Sequence, residues 1–534
     1  MIEYGKIKNV KTKDNTVYIE FKTVNMEVHI VTEWTVRFFV QLEKEQVISK
    51  AVEQIDNAQI FFQVEQYSDC INIQTEKLIV KIYDGGFVDI YDKNGTVLCG
   101  DYRGEQNHVQ GVDKETKELM EQEGHHAREI EEIQKIKVVK KMHGDECFYG
   151  LGDKTGFLNK RGYEYINWNT DNPQPHVDSF KKLYKSIPFF ITLRKDAVFG
   201  LFFDNTYCSY FNFGKESENY YWFGADNGNL DYYFVGGESM KAVVSEYTKM
   251  TGRAPLPQLW TLGYHQSRWG YRCEEDVRKV ARLMREHKIP CDAIHLDIDY
   301  MNGYRVFTVD EQRFPNMKKL AEDLSKDGIR LVTIIDPGVK AEKSYTIYDE
   351  GAEKDYFAKA SDGNFYENVV WPGNSVYPDF GRSEVREWWG NHHKFLIENG
   401  IAGIWTDMNE PAGFRGEIPE DVVFYDEKRK SNHREMHNVY GHNMARATYT
   451  ALRELTGKRP FVITRACYSG TQKYSTAWTG DNHSIWAHLQ MAIPQMCNMG
   501  LSGMPYIGTD IGGFGSDTTK ELLCRWIEVG CFSP

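Results

Sequence analysis

From Thr251 onward the chain alternates between short apolar runs and longer amphipathic stretches, and this alternation restricts the fold more than any other feature. TLGYHQ, for example, is followed by EEDVRKVARLMREHK, which has helical periodicity, and then by the apolar run DAIHLDID. The same sequence of patterns recurs through RLVTIID, IAGIWTD, PFVITR, TAWTGD and MPYIGTD, which gives seven strands. Repeated β–α units predict a parallel sheet, and seven of them favour a (β/α)8 TIM-type barrel over a doubly wound sheet.

The printed sequence stops soon after the seventh unit, at Pro534. A closed barrel needs an eighth strand to pair its two edges. Either another segment closes the barrel, or the chain is part of a longer protein. We favour the second explanation, and we expect a barrel that lacks its last strand in this chain and a polypeptide that is poorly stable or inactive alone.

The first half of the chain has a different pattern of apolar and polar residues. Residues 1–100 alternate apolar and polar side chains over short runs such as NTVYIEFKT, and similar patterns resume from Lys135. This period of two predicts an antiparallel β-sandwich over residues 1–250, with a hairpin turn at Asn94-Gly95. We expect a charged insertion at about 101–133. The stiff connector TGRAPLP begins the second domain, which we place at residues 251–534.

Composition excludes several functional classes. The net charge of −13 argues against binding to nucleic acid, whose phosphates would be repelled. No run of 18 apolar residues could span a membrane, and MIEYGKIKNVKTKDN lacks the apolar segment of a signal peptide. The ten cysteines form no CxxC pair and are expected to be reduced thiols, so we expect a cytoplasmic protein. Nothing in the sequence predicts the oligomeric state.

Charged residues recur where the predicted strands end, which is the edge where α/β barrels place their functional groups. These residues are His265, Arg268, Asp297, Asp299, Asp336, Asp407, Arg465, Asp481 and Asp510. In a barrel they would meet at one mouth, and clustered carboxylates are candidates for acid–base chemistry. Tryptophan and phenylalanine side chains lie between them, and the aromatic content of the whole chain is 14%. Acids mixed with aromatic planes suit a neutral polyhydroxylated ligand.

A metal site is the competing interpretation of the acid cluster. The sequence contains no HExxH motif or paired Cys/His spacing, and its acids are not spaced as in a calcium loop. We therefore expect no metal and no cofactor. Two carboxylates from different strands are what glycosidic cleavage requires, one ionised and one protonated. Spacing alone does not decide which two acids these would be.

Several motifs resemble those of glycoside hydrolase family 31, which contains α-glucosidases and α-xylosidases. WTDMNEP (405–411) resembles the family's nucleophile motif, and AWTGDN (477–482) resembles its acid/base motif. In chain order, GYHQSRWGY, HLDIDYM, TIIDPGV, VWPG, VITRACYSG and GTDIGGF resemble the family's other barrel motifs. WNTDNP (168–173) resembles a loop of the N-terminal domain that reaches into the pocket, here at about 166–176. The resemblance covers about residue 145 to the end.

This resemblance implies a role for each matching residue. Asp407 would be the catalytic nucleophile and Asp481 the general acid/base. Asp297, Asp336 and Arg465 would hold sugar hydroxyls. The pocket walls would be formed by Trp269, Trp371, Trp405, Trp478 and Phe514, and the N-terminal loop would contribute Trp168 and Asp171. Arg465 would keep Asp407 ionised, and burial against Trp478 together with the charge of Asp407 would raise the pKa of Asp481.

For other residues a structural role competes with a functional one. Asp299 and Asp510 suit supporting hydrogen bonds as well as direct substrate contact, and Glu410 is expected to orient its neighbours. The histidines His265, His295 and His483 are expected to be satisfied structural residues. The resemblance implies a retaining, exo-acting α-glucosidase that acts on small oligosaccharides. The alternatives are an α-xylosidase of the same family and a non-catalytic carbohydrate-binding relative, although a degenerate relative would be expected to lose one of the two acids.

Overall fold

A computed structural model describes residues 2–45, 47–52, 59–107, 114–122 and 135–533. The chain forms two compact units. One comprises Met1–Trp168, Ile187–Gly252 and Cys497–Gly503, and the other comprises Asn169–Ser186, Arg253–Met496 and Met504–Pro534. Much of the charged insertion expected at about 101–133 lies outside the described residues, which retain a helix at Lys114–Gln122 within it.

The first unit consists mainly of antiparallel strands. These are β1 (Ile7–Lys13), β2 (Thr16–Phe21), β3 (Asn25–Ile30), β4 (Thr35–Val40), β5 (Gln63–Gln66), β6 (Cys70–Gln74), β7 (Leu78–Tyr83), β8 (Val88–Asp92), β9 (Val97–Gly100), β10 (Ile136–Lys141), β11 (Cys147–Gly150), β12 (Glu164–Asn167), β13 (Phe189–Arg194), β14 (Ala197–Phe203), β15 (Ser209–Asn212), β16 (Tyr220–Ala225) and β17 (Leu230–Gly236). Its helices are α1 (Lys114–Gln122) and α2 (Met240–Thr251).

These strands form three sheets that share one hydrophobic core. Their orders are β1-β2-β3-β4-β17-β14-β13-β11, β10-β16-β15-β12 and β5-β6-β7-β8-β9. Strand β2 illustrates the cause: Val17, Ile19 and Phe21 are buried, whereas Tyr18 and Glu20 between them are exposed. A period of two places one face of a strand in the core, so the predicted antiparallel β-domain is confirmed.

The hairpin predicted at Asn94-Gly95 is also confirmed. It joins β8 to β9, and Gly95 has the positive φ of 87° that such turns require. The Oδ1 atom of Asp92 accepts hydrogen bonds from the backbone N–H groups of Asn94 at 2.9 Å and of Thr96 at 2.8 Å. The turn therefore satisfies its own backbone donors.

The second unit is built around a parallel sheet of seven strands in the order β18-β19-β20-β24-β27-β28-β29. The strands of this unit are β18 (His265–Arg268), β19 (Ala293–Leu296), β20 (Arg330–Ile335), β21 (Val339–Lys340), β22 (Glu367–Val370), β23 (Gly373–Val376), β24 (Gly403–Thr406), β25 (Val423–Asp426), β26 (Arg429–Asn432), β27 (Val462–Thr464), β28 (Thr476–Trp478) and β29 (Ile507–Gly508). The seven parallel strands are those predicted from the sequence. Small antiparallel sheets, β21-β23-β22 and β25-β26, lie in the connections.

Helices follow the strands of the parallel sheet. They are α3 (Glu274–Glu286), α4 (Met317–Lys326), α5 (Thr346–Glu353), α6 (Ser383–Glu398), α7 (His433–Met436), α8 (Tyr440–Thr456), α9 (Trp486–Leu501) and α10 (Lys520–Gly530). Side-chain caps begin α4 and α10, where Asn316 and Thr519 accept hydrogen bonds from backbone N–H groups. Gly457, in the left-handed conformation, ends α8. Among the helices of the described ranges, none has both the length and the apolar character needed to cross a bilayer.

Candidate active site

The acids predicted from the sequence lie at one edge of the parallel sheet. Asp297, Asp336 and Asp407 directly follow β19, β20 and β24. Arg465 directly follows β27, and Asp481 lies three residues beyond the end of β28. Neighbouring parallel strands end at the same edge, so these side chains come together although they are far apart in the sequence.

The guanidinium group of Arg465 lies at the centre of this cluster and is buried. Its Nε atom is 2.9 Å from Oδ1 of Asp407. Its Nε and Nη2 atoms also donate hydrogen bonds to the two carboxylate oxygens of Glu410, at 2.9 and 2.8 Å. This two-point contact with Glu410 fixes the plane of the guanidinium group.

Two further acids contact the same group at longer range. Nη1 is 3.5 Å from Oδ2 of Asp481, and Nη2 is 3.5 Å from Oδ2 of Asp171. The guanidinium carbon also lies 5.1 Å from the centre of the Tyr184 ring, in a cation–π arrangement. The guanidinium group of Arg465 therefore faces four carboxyl groups, and burial raises the pKa values of Asp407, Glu410 and Asp481 while Arg465 opposes the rise.

The two candidate catalytic acids have similar pKa values and the same two main influences. Burial raises the pKa of Asp407 to about 6; Arg465 opposes that rise, and Asp481 adds to it. Burial also raises the pKa of Asp481 to about 6; Arg465 again opposes the rise, and Asp171 and Glu410 add to it. Arg465 lies closer to Asp407, so its charge favours the ionised form of Asp407 more strongly than that of Asp481.

Three surrounding acids also have raised pKa values. Burial, together with neighbouring carboxylates such as Asp407, raises the pKa of Asp297 to about 7 and that of Asp510 to about 8. The pKa of Asp336 is raised well above its ordinary value by burial and by Asp407. The Oδ1 atom of Asp336 is buried without a hydrogen-bond partner among the described residues. A protonated carboxyl group can donate a hydrogen bond as well as accept one, which suits recognition of hydroxyl groups.

A cavity of about 1330 Å³ opens above the cluster. Its polar lining includes Asp171, Asp297, Asp407, Arg465, Asp481 and Asp510, and its aromatic lining includes Trp269, Trp371, Trp405, Trp478 and Phe514. Pairs of these rings pack closely, with centroids 5.2 Å apart for Trp269 and Trp371 and 5.7 Å apart for Trp405 and Trp478. The aromatic residues singled out in the barrel motifs therefore form a common wall.

Three residues of the motifs are placed differently. Asp336 and Glu410 are buried but are not among the residues that line the cavity. Trp168 is 7% exposed and belongs to the first unit, whereas Asp171 belongs to the second unit. Glu410 thus contacts Arg465 from outside the cavity lining.

Sequence reasoning missed the side chains that hold the two catalytic loops. Asn409 accepts a hydrogen bond from the backbone N–H of Ala466 at 3.0 Å and donates one to Thr464 at 3.0 Å, which ties the loop of Asp407 to β27. Asn482 donates to Thr509 at 2.8 Å and accepts from the backbone N–H of Phe514 at 3.0 Å. Asn409 lies inside WTDMNEP and Asn482 inside AWTGDN, and these positions could have indicated that both residues support the site.

Tyr184 was missed for a different reason. It lies outside every motif quoted from the sequence, and its ring reaches Arg465 only because the chain returns to the site after Asp171. Gly480, which has a φ of 79°, lies directly against this ring; a Cβ atom there would be 2.3 Å from it. No local pattern in the sequence could have indicated that packing.

The geometry places two acids at one buried cation in one cavity. Arg465 is closer to Asp407 than to Asp481, and burial raises the pKa of both acids. One ionised and one protonated carboxyl group form the pair that retaining glycosidic cleavage requires. In the described part of the chain, no group of three or more His, Cys, Asp or Glu side chains is arranged to hold a metal ion.

Comparison with protein-family models gives two matches. Residues 254–534 match the glycosyl hydrolases family 31 TIM-barrel domain. Residues 25–212 match the glycosyl hydrolase 31 N-terminal galactose mutarotase-like domain. The two matches correspond to the two fold types predicted from the sequence.

Similar proteins carry related names. Alpha-glucosidase 2 of Bacillus thermoamyloliquefaciens is 51% identical over 398 residues, which is 74% of this chain and 50% of that protein. Neutral alpha-glucosidase AB of Homo sapiens is 34% identical over 424 residues, or 74% of this chain and 45% of that protein. This chain therefore spans about half the length of these curated relatives.

Among solved structures, a family 31 dextranase from Flavobacterium johnsoniae, complexed with isomaltotriose, has the same fold. The TM-score is 0.89 at 29% sequence identity, over 100% of this chain and 65% of that one. The isomaltotriose is a feature of that protein's structure. For this chain, the comparison shows that the arrangement of strands described above occurs in an established glycoside hydrolase.

Proposed function

Because this chain belongs to glycoside hydrolase family 31, we propose that it hydrolyses terminal α-linked glucose from small oligosaccharides with retention of configuration. One observation carries the proposal: Asp407 and Asp481 line the same cavity and share one buried guanidinium group, at 2.9 and 3.5 Å. The names of the relatives support glucose as the sugar that is transferred.

In the proposed first step, an ionised oxygen of Asp407 attacks the anomeric carbon of the glucose residue. The bond from that carbon to the glycosidic oxygen breaks, and Asp481 gives its proton to the departing oxygen. In the second step, water attacks the same carbon, Asp481 takes the proton of the water, and the bond to Asp407 breaks. Arg465 stabilises Asp407 as a carboxylate when the first step begins and when the second step ends.

Other residues in and beside the cavity would hold the sugar. Asp297, which lines the cavity, and Asp336, which is buried outside its lining, would exchange hydrogen bonds with its hydroxyl groups, in keeping with their raised pKa values. Trp405, Trp478 and the other aromatic rings would cover its C–H faces. In the same proposal Asp171 would bind near the leaving group. Trp168, in the first unit, remains a predicted contact.

A panel of 4-nitrophenyl α-glycosides tests both the activity and the sugar. We expect faster hydrolysis of the α-glucoside than of the α-xyloside, and NMR of the initial product should show the α-anomer. Preference for the α-xyloside would favour an α-xylosidase, and hydrolysis of neither glycoside would favour a non-catalytic binding protein.

The Asp407→Asn variant tests the nucleophile, because Asn keeps the shape of the side chain and removes its charge. We expect hydrolysis to fall by at least about 10³-fold, the scale seen when a catalytic group is lost. The Asp299→Asn variant is a suitable control, since Asp299 is an acid of the same strand-end series that lies outside the lining of the main cavity. Equal losses in the two variants would contradict the assignment.

The cytoplasmic location expected from the sequence remains part of the proposal. It is supported by the ten cysteines, all of which lie within the described ranges and none of which forms a disulfide bond there; Cys99, Cys291 and Cys467 are buried. Cell fractionation with an antibody against the protein would test it, and recovery outside the cytoplasm would overturn it.

A further inference from the structure

Residues 169–186 form a segment of the second unit, although the residues before and after it in the chain belong to the first unit. Near its start it carries Asp171, whose Oδ2 atom is 3.5 Å from Arg465. Near its end it carries Tyr184, whose ring covers the same guanidinium group. The segment therefore contacts the central cation at both of its ends.

Both ends of this segment are bound by one buried side chain, that of Asn438. The Oδ1 atom of Asn438 accepts a hydrogen bond from the backbone N–H of Asn169 at 3.0 Å and another from the hydroxyl of Ser186 at 3.1 Å. The backbone carbonyl of Asn438 accepts a third, from the side-chain amide of Asn169, at 3.2 Å. The side chain of Asn438 thus links two points 17 positions apart in the chain, and the Ser186 end is also held by its backbone N–H, which donates to the carbonyl of Cys467 at 3.1 Å.

The neighbouring residue, His437, holds the same end of the segment. Its Nε2 atom is 2.7 Å from the backbone carbonyl of Asn169, and its Nδ1 atom is 2.9 Å from Nε2 of His433. A carbonyl can only accept, so Nε2 carries the proton and Nδ1 accepts from His433. Burial lowers the pKa of His437 to about 3, so its ring is neutral at neutral pH, as this arrangement requires.

Hydrogen bonds within the segment connect the part near its start to the part near its end. The backbone N–H of Thr170 donates to the carbonyl of Leu183 at 3.0 Å, and the Asn172 side chain donates to the carbonyl of Lys182 at 2.9 Å. Asp171 lies between these two cross-links. Its position relative to Arg465 therefore depends on where the ends of the segment are fixed.

We propose that Asn438 is a positioning residue, which holds both ends of segment 169–186 so that Asp171 and Tyr184 complete the surroundings of Arg465. The inference rests on the proposed glycosidase activity for its kinetic consequence. Asn438 itself is not among the residues that line the cavity. Its effect on hydrolysis would pass through Asp171, which does line the cavity.

The first test is kinetic and uses 4-nitrophenyl α-glucoside. Asn438→Ala is expected to lower kcat/KM by roughly 10- to 100-fold, the scale of misplacing a substrate-contacting group by about 1 Å. The same substitution made in an Asp171→Asn background should lower kcat/KM by less than about 3-fold, because the group it positions is already altered. If the fold-losses in kcat/KM of the two single variants simply multiply in the double variant, the proposal is overturned.

Asn316→Ala provides the matched control. Asn316 is also an asparagine whose side chain accepts a backbone hydrogen bond, from Lys319 at 2.9 Å, but it caps α4 and makes no contact with the segment. We expect it to lower the melting temperature without changing kcat/KM by more than about 2-fold. Ser186→Ala, which removes one of the two bonds to Oδ1 of Asn438, is a milder variant and should give a smaller loss in the same direction.

The second test does not depend on activity. Hydrogen exchange, followed by mass spectrometry of peptides covering 169–186, should become faster in Asn438→Ala and stay unchanged in Asn316→Ala. Unchanged exchange in Asn438→Ala would overturn the positioning role even if the glycosidase assignment stands. Faster exchange in a protein whose wild type hydrolyses no glycoside would support the positioning role and overturn only the proposed function.

Discussion

Replacing Arg465 with Gln removes the guanidinium group at the centre of the four-carboxyl cluster while keeping a side chain of similar length. At an effective dielectric constant of about 20, a charge pair at 2.9 Å is worth about 6 kcal/mol and one at 3.5 Å about 5 kcal/mol. Since about 1.4 kcal/mol corresponds to a change of one in pKa, the pKa of Asp407 would rise by at most about 4, and that of Asp481 by somewhat less. Water entering the site would reduce both values.

The expected result is a displaced pH profile rather than a uniform loss of activity. In the wild type, we expect the pH profile of kcat/KM to have an acidic limb, where Asp407 ionises, and a basic limb, where Asp481 ionises. Both limbs should lie near pH 6. In Arg465→Gln both limbs should move to higher pH by roughly 2 to 4, and at pH 6 the activity should fall by at least about 100-fold. Raising the pH toward 9 should increase the activity of this variant by about 10-fold per pH unit until Asp481 ionises.

The assay is hydrolysis of 4-nitrophenyl α-glucoside from pH 4 to 10, with circular dichroism at each pH to verify folding. Removing one partner of a buried ion pair typically costs about 3 to 5 kcal/mol of stability, so the measurements should be made at low temperature. Arg465→Lys is the matched control: it keeps the charge but loses the two-point contact with Glu410. Its activity should fall while its limbs stay near those of the wild type. A Gln variant with wild-type limbs would refute the argument that Arg465 sets the ionisation of the pair.

Three other substitutions give distinct readouts. Asp379 is buried with its pKa raised to about 8, so ionising this group in the folded protein is unfavourable and stability falls as the pH rises toward 8. Asp379→Asn should therefore raise the melting temperature at pH 8 and change it little at pH 4. Thermal denaturation at the two pH values checks this difference. Gly480→Ala should lower kcat/KM by roughly 10- to 100-fold, since the added methyl group meets the ring of Tyr184, and near-wild-type kinetics would contradict that packing. Asn409→Ala leaves the buried N–H of Ala466 without its acceptor, and urea unfolding should show a loss of about 1 to 3 kcal/mol.

Local pattern predicted much of this protein. The alternation of apolar and amphipathic runs identified the seven parallel strands, because burial of both faces of a parallel sheet makes its strands nearly continuous apolar runs; Leu331 to Ile335 in β20 are all buried. Period-two alternation likewise identified the antiparallel strands of the first half. Asp297, Asp336, Asp407 and Arg465 were recognised as strand-end residues, and parallel register brings strand ends together.

The relation between the acids did not follow from these patterns. The sequence indicated that Arg465 would lie near Asp407, but the same guanidinium group also contacts Glu410, Asp481 and Asp171. Glu410 and Asp407 are three residues apart in one motif, yet one lines the cavity and the other lies behind it. The direction of a side chain after a tight turn depends on backbone angles, which a linear motif does not specify.

By itself, the sequence determined which kinds of secondary structure would form and which residues would stand at the ends of strands, because both depend on the spacing of apolar side chains along the chain. Only the tertiary structure decided which acid lies closer to the shared cation, that Tyr184 covers that cation, and that Asn438 binds both ends of the segment carrying Asp171. Those relations join residues separated by tens to hundreds of positions. They arise from burial around a shared charge, and the distance of each carboxyl group from that charge sets how strongly its ionised form is stabilised.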